Sequence, residues 1–266
     1  MDNRPIGILD SGLGGLTSVW ELHRKLPQER VIYYGDTART PYGSKSPETI
    51  VKFASQLVER LISCDVKMII IACNTITAWG LTALREKYPN VPIIGVIGPT
   101  VRKVVADGVE KVGVIATKGT ISSDMYGVSL RELKPEIKVY SKACPAIVPL
   151  IEEGLDGTDI MELCIKHYMD DFVGAEEFED LILGCTHYPI VSEQLKKLYP
   201  KIRLYSSSAE VVEQAREIME EKNMLASGSD YTDRYYASDL SENFINMTEK
   251  LFEGTDFKVQ LLKLEE

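Results

Sequence analysis

Short apolar runs alternate along the chain with stretches whose apolar residues recur at helical spacing. "PIGILD" reads as a buried strand, and "GLTSVWELHRKLP" then carries an apolar stripe until Pro27 stops it. "RVIYYGD" is a second strand. "SPETIVKFASQLVERLIS" is a helix, with Ser46 as its N-cap and Pro47 in the first turn, where a missing N–H does no harm. "VKMIIIAC" is a third strand, "TAWGLTALREKYP" a third helix ending before Pro89, and "VPIIGVI" a fourth strand. This alternation of strands with helices predicts a parallel, doubly wound sheet.

The second half starts the pattern again. "KVGVIAT" matches "PIGILDS", with Gly113 where Gly7 stands, and "EIKVYS" takes the part of "RVIYYG". A helix through "TDIMELCIKHYMDDFV" follows. "DLILGCTHYP" then mirrors "MIIIACNT", and "PKIRLYSSS" mirrors "VPIIGVIGPT". An internal duplication explains this. The expected fold is α/β: two doubly wound parallel-sheet domains related by a pseudo-two-fold axis, with the active site in the cleft between them. The last segment is not a third repeat. "SAEVVEQAREIMEEKN" is helical, and "DYTDRYYAS" and "FKVQLLKL" are short strands flanking a helix in "SDLSENFINMTEKLFEG". Asp239 and Glu242 would form a capping box for that helix, and "GSD" at 228–230 a surface turn. The tail is expected to pack back on the first unit. Domain one would then comprise residues 1–97 plus 208–266, and domain two residues 98–207.

The 266 residues are 44% hydrophobic and 26% charged, which suffices for two independent cores. The net charge of −10, with no Lys/Arg-rich run, argues against nucleic acid as a partner. An anionic ligand would have to be met by helix N-termini and backbone amides. "MDNRPIGILDSG" lacks the basic region and apolar core of a secretory signal, and no apolar run is long enough for a bilayer. The expected location is the cytoplasm, with no membrane partner. The five cysteines, Cys64, Cys73, Cys144, Cys164 and Cys185, form no C-x-x-C pair and fit no common zinc spacing. Free thiols in a reducing compartment are expected, and no metal site.

Ligands of doubly wound sheets bind outside the carboxyl ends of the strands. "IIIACNT" and "LILGCTH" place Cys73 and Cys185 there, each followed by residues able to start a helix. One such cysteine would read as an inert buried thiol. A matched pair, opposed across a cleft, reads as chemistry. A nucleophilic cysteine calls for one thiol with a base. Two facing thiols suit removal of a proton from one face of a carbon and delivery to the other, which is racemisation or epimerisation. The thiolate is the active base, an ordinary thiol titrates near ~8.5, and a helix N-terminus lowers that value. Asp10, after the first strand, is placed to accept a proton from Cys73, and His187 from Cys185. Asp10 also suits an N-cap. His23 and His167 lie in helical patterns and read as surface residues.

"DSGLGG" has Thr17 where a dinucleotide fingerprint wants glycine or alanine, and no Walker A pattern occurs, so a nucleotide cofactor is not expected. The loop could instead hold a small carboxylate on its amides, beside Ser11. "PYG" reads as an ordinary turn, or as the Tyr42 hydroxyl and Gly43 amide reaching a ligand. Asn74, Thr75 and Thr186 are neutral donors next to the thiols. Thr117 holds in the second unit the place of Ser11 in the first.

"IGILDSGLGGLTS", "YYGDTARTPYGSKS", "ACNTITA" and "GCTHYP", in that order, resemble the cofactor-independent glutamate racemases of the aspartate/glutamate racemase superfamily. The resemblance covers most of the chain and is densest through position 100 and around 180–190. It implies interconversion of L- and D-glutamate without pyridoxal phosphate or metal, supplying D-glutamate for bacterial peptidoglycan. It implies that Cys73 takes the α-proton of the D isomer and Cys185 that of the L isomer. Asp10 and His187 would help them, with Glu152 a further acidic residue near Cys185. The substrate would be held by Asp10, Ser11, Tyr42, Gly43, Asn74, Thr75, Thr186 and His187, to which Thr117 is added from its position. A homodimer and closure of the domains on substrate are also expected. The competing expectations are a racemase of the same superfamily acting on aspartate or a hydantoin, a two-domain binding module, and a thiol oxidoreductase. One departure from the family pattern is "YSSSAE", where an acidic or glycine-containing turn is usual, which bears on helix capping there.

Overall fold

The computed structural model describes residues 1–228, 232–252 and 257–264. Its first strands are β1 (Ile6–Asp10), β2 (Val31–Gly35), β3 (Met68–Ile71) and β4 (Ile93–Gly95), separated by α1 (Leu16–Lys25), α2 (Pro47–Ile62) and α3 (Asn74–Lys87). Helix α4 (Ile97–Ala106) leads to β5 (Lys111–Ala116), α5 (Lys118–Ser122), α6 (Met125–Leu133) and β6 (Lys138–Ala143). Then come α7 (Ile147–Glu152), α8 (Asp159–Glu176), β7 (Asp180–Gly184), α9 (Ser192–Leu198) and β8 (Arg203–Ser206). The chain closes with α10 (Ser207–Glu221), β9 (Arg234–Ala237), α11 (Glu242–Leu251) and β10 (Val259–Leu261).

Two parallel sheets result, with strand orders β10-β9-β2-β1-β3-β4 and β6-β5-β7-β8. The second order repeats the β2-β1-β3-β4 core of the first, so the duplicated apolar pattern becomes a duplicated topology. Side chains alternate across each sheet. Ile6 and Ile8 of β1 pack with Leu16, Val19 and Val211, whereas Leu9 packs on the other face with Ile50, Leu57 and Ile76. In the second sheet Leu181 and Leu183 join Met161 and Ile165, and Ile182 joins Val101, Val104 and Leu130. Both faces are covered, which is why these strands show no polar alternation. Strands β9 and β10 extend the first sheet beyond β2.

The expected cap of α2 forms: Ser46 Oγ accepts the Thr49 N–H, with Pro47 as the first helical residue. The fourth strand is shorter than the apolar run "VPIIGVI", because Val96 turns into helical backbone and Ile97 opens α4. The helices α4, α5, α6 and α7 had no counterpart in the sequence pattern. Helix α11 begins at Glu242, so Asp239 lies before its cap and bonds the Leu240 N–H instead of closing a capping box. Positions 229–230 of the expected "GSD" turn, and 253–254 of the helical run, lie outside the described residues. Among the described residues, no helix is long and apolar enough to cross a membrane. His167 is exposed, while His23 is half-buried against Asp233.

Candidate active site

In the first sheet β1 and β3 are neighbours whose connections run to opposite sides, to β2 and β4. A crevice opens at their carboxyl ends. Asp10 ends β1 there and is fully buried. Its Oδ2 accepts the backbone N–H groups of Gly12 (3.1 Å) and Gly15 (3.0 Å). The glycine loop therefore turns two of its amides onto Asp10, where the sequence allowed them to await an outside carboxylate. Asp10 Oδ1 is buried and has no hydrogen-bond partner among the described residues. An open buried acceptor costs about 1–3 kcal/mol. It is therefore a place for a proton. Burial pushes the Asp10 carboxyl up, against the opposing pull of His187 and the loop amides.

Cys73 follows β3 and caps α3, with 6% of its surface exposed. Burial, and then the Asp10 charge, push its thiol up to about 12. The Ser11 hydroxyl and the Ile76 N–H act the other way. The helix N-terminus thus pulls in the expected direction and loses to desolvation. Cys73 rests as a thiol. Its polar neighbour is Ser11, whose Oγ lies 3.3 Å from Sγ, rather than a directly bonded Asp10. Tyr42 gives its hydroxyl to the buried Asp36 carboxylate.

Cys185 follows β7. The expected helix start after it is a 3-10 turn, Tyr188–Val191, with Pro189 in its first positions, and α9 begins only at Ser192. This turn brings His187 back over the thiol, with Nδ1 3.8 Å from Cys185 Sγ. On the ring's far side Nε2 lies 3.0 Å from Glu152 Oε1. Glu152 ends α7, which Ile147 and Ile151 anchor in the core. Burial pulls the imidazolium down, but Cys185 and Glu152 outweigh it and push His187 up to about 10. His187 is therefore held between a thiol and a carboxylate. Gly14 makes the approach of the two halves possible, since a Cβ there would sit 2.4 Å from both His187 Nδ1 and Thr186 Oγ1.

Both thiols line one cavity, of about 370 Å³ of empty space. Ser11, Tyr42, Gly43, Asn74, Thr75, Thr117, Thr186 and His187 line it with them. Asp10 and Glu152 are not among its lining residues. Asp10 lies within electrostatic reach of Cys73, and Glu152 bonds His187. Thr40, Pro41 and Val148 also line it and were not foreseen. Nor was Thr120, whose Oγ1 lies 3.2 Å from Thr75 Oγ1 and 3.1 Å from Thr117 Oγ1. Thr75 and Thr117 are themselves 3.0 Å apart. The T-x-x-T pattern at the α5 cap is the signal for it, since Thr117 Oγ1 also accepts the Thr120 N–H. A larger cavity, about 930 Å³ of empty space lined by Trp20, Pro189 and Leu251 among others, includes neither thiol. The ionisable chemistry converges on the smaller one. Two thiols, one near a buried carboxyl and one beside an imidazole, with hydroxyl and amide donors around them, suit proton transfer at carbon.

A profile of the Asp/Glu/hydantoin racemase family matches residues 19–215. The chain belongs to this family. It is 37% identical to a glutamate racemase of Geobacter metallireducens, over 98% of this chain and 97% of that protein. It is 39% identical to a glutamate racemase of Persephonella marina, over 97% of each. The solved structure of glutamate racemase from Francisella tularensis, in complex with D-glutamate, matches with a TM-score of 0.92 at 39% identity, covering 100% of this chain and 99% of that one. The two parallel sheets and their interleaved helices are thus the racemase fold, and racemases are isomerases.

Proposed function

We propose that this racemase interconverts L- and D-glutamate by passing the α-proton between two cysteines on opposite faces of the substrate. The observation that carries the reading is that Cys73 and Cys185, contributed by equivalent strands of the two sheets, line one cavity. The glutamate substrate is supported by relatives similar along their whole length.

Starting from L-glutamate, the Cys185 thiolate takes the α-proton and becomes a thiol, leaving a planar carbanion. The Cys73 thiol gives its proton to the opposite face, yields D-glutamate and is left as thiolate. The reverse direction exchanges the roles. His187 exchanges protons with Cys185, and Asp10 serves the Cys73 side through its open Oδ1. The α-proton is far less acidic than a thiol, so the carbanion needs donors already in position. One well-aimed donor is worth about 2.7–4 kcal/mol. Asn74 and Thr186, which line the cavity next to the two thiols, would hold the α-carboxylate. The Thr75 and Thr117 hydroxyls, backed by Thr120, suit the side-chain carboxylate, with Ser11, Tyr42 and Gly43 completing the wall. The scheme calls for neither pyridoxal phosphate nor metal.

The two sheets would be the cores of two domains, residues 1–97 plus 208–266 and residues 98–207, that close on the substrate. D-glutamate for peptidoglycan is the expected use, by a homodimer in the cytoplasm. The test is racemisation of L-glutamate in heavy water, followed by circular dichroism and mass spectrometry, with L-aspartate as control. The D product should carry deuterium at its α-carbon, and Cys73→Ala and Cys185→Ala should each lose racemisation. Full activity in either variant, or faster turnover of aspartate, would reject the reading.

A further inference from the structure

Tyr126 stands apart from the residues just assigned, yet it touches the neighbours of both thiols. It lies on α6 and is 2% exposed. Its hydroxyl donates to Asn74 Oδ1 at 2.6 Å, one residue after Cys73. Its ring edge packs on Gly184, one residue before Cys185; a Cβ on that glycine would meet Tyr126 Cε2 at 3.2 Å. The Asn74 amide has a second fixed partner, because its Nδ2 donates to Ser207 Oγ at 3.2 Å. The Ser207 hydroxyl in turn reaches the Leu183 carbonyl at 3.3 Å, on the Cys185 strand. A hydroxyl on the amide oxygen and an acceptor on one N–H leave Asn74 a single orientation. The second N–H has no acceptor among the described residues, and Asn74 lines the cavity. The serine run that departs from the family pattern therefore supplies Ser207 to this network.

We propose that Tyr126 is a positioning residue for racemisation: its hydroxyl orients the Asn74 amide beside Cys73 while its ring seats Gly184 beside Cys185. One buried side chain thereby sets both thiol-bearing segments against each other. The inference rests on the two-thiol reading above. That reading gives it a measurable consequence. A carbanion formed by Cys185 is protonated from the far face only if Cys73 stands at the right distance. When the spacing loosens, the carbanion is more often reprotonated on the face it left, after that thiol has exchanged with solvent. Misplacement on the scale of 1 Å costs roughly 100-fold in rate.

The experiment compares Tyr126→Phe with the unaltered protein on L-glutamate in heavy water. Phenylalanine keeps the ring on Gly184 and removes only the hydroxyl from Asn74. Rates, thermal midpoint and deuterium in both recovered isomers are measured. The expected result is a folded variant whose kcat falls roughly 10- to 100-fold while KM changes far less. The ratio of deuterium in recovered L-glutamate to that in D-glutamate should rise severalfold. A kcat within about twofold of the unaltered protein, or a lower kcat with an unchanged ratio, overturns the proposal; the latter would make Tyr126 merely structural. If Tyr126→Phe does not fold, Ser207→Ala removes the other partner of the amide and is read by the same ratio with the same two outcomes. Failure of the unaltered protein to racemise glutamate would instead overturn the functional reading, so the two failures are distinct.

Discussion

Replacing Asp10 with asparagine separates the two things this carboxylate does. The amide oxygen must take the Oδ2 position, because an NH2 group there would set donors against the Gly12 and Gly15 N–H groups at 3.1 and 3.0 Å. The NH2 group then occupies the Oδ1 position, which is buried and open. The loop keeps both hydrogen bonds, and one unpaired buried acceptor becomes one unpaired buried donor. Burial disfavours the charged carboxylate. Asp10→Asn should therefore melt at or above the temperature of the unaltered protein. In the proposed scheme it loses the proton acceptor on the Cys73 side. General acid–base catalysis is worth about 10²–10⁴-fold. At about 1.36 kcal/mol per decade that is about 2.7–5.4 kcal/mol of barrier. The isomers have equal free energy in an achiral solvent, so kcat/KM must fall by the same factor in both directions. The asymmetry appears in isotope effects. With α-deuterated substrates the primary effect should grow for D-glutamate, whose proton the proposed scheme sends to Cys73, and shrink for L-glutamate. The assay is circular dichroism of both isomers, protonated and deuterated, beside a melting curve. A kcat/KM within threefold of the unaltered protein, or isotope effects that stay equal, would refute the reasoning.

Three further outcomes are expected. In Gly14→Ala the new Cβ has no room before His187 and Thr186 at 2.4 Å. Overpacking of this kind costs about 1–3 kcal/mol, and a shifted His187 should lower kcat roughly 100-fold; a variant as active as the parent would contradict the close approach. His187 is raised to about 10, above its ordinary value near 6.5. Its contribution to stability is thus complete below about pH 6.5 and is lost as pH climbs toward 10. Urea titrations at several pH values should show Glu152→Gln flattening that decline, and an unchanged slope would count against the pair. Lys67 is fully buried, with Nζ 2.5 Å from Glu29 Oε2 and bonded to the Asp2 and Met224 carbonyls. Lys67→Met strands the Glu29 charge and should cost about 3–5 kcal/mol in a denaturation curve, with kcat of the folded fraction unchanged because the pair lies at the amino end of β3.

The strands were legible because parallel sheets bury both faces, so β1, β3 and β7 are continuous apolar runs. The thiols were legible because each ends such a run. The short helices α5, α6 and α7 carry too few turns to show a period. The course of the chain after Cys185 hid behind one residue: Pro189 stands in a 3-10 turn, and that turn sets His187 over the sulfur. Asp10 was found, but not that it binds its own loop amides, because a bond from the Gly15 N–H to Oδ2 is decided by backbone curvature. Tyr126 and Ser207 were invisible for a different reason. Each meets Asn74 from a distant part of the chain, and no local pattern encodes such a meeting.

The most direct measurement is proton NMR of each glutamate isomer in heavy water with a single thiol left. A lone base can exchange a proton but has no partner to invert the carbon. Cys73→Ala, keeping Cys185, should wash deuterium into L-glutamate alone, and Cys185→Ala into D-glutamate alone, with no isomer converted. Exchange of both isomers by one variant, or formation of the opposite isomer by either, would contradict a sulfur on each face.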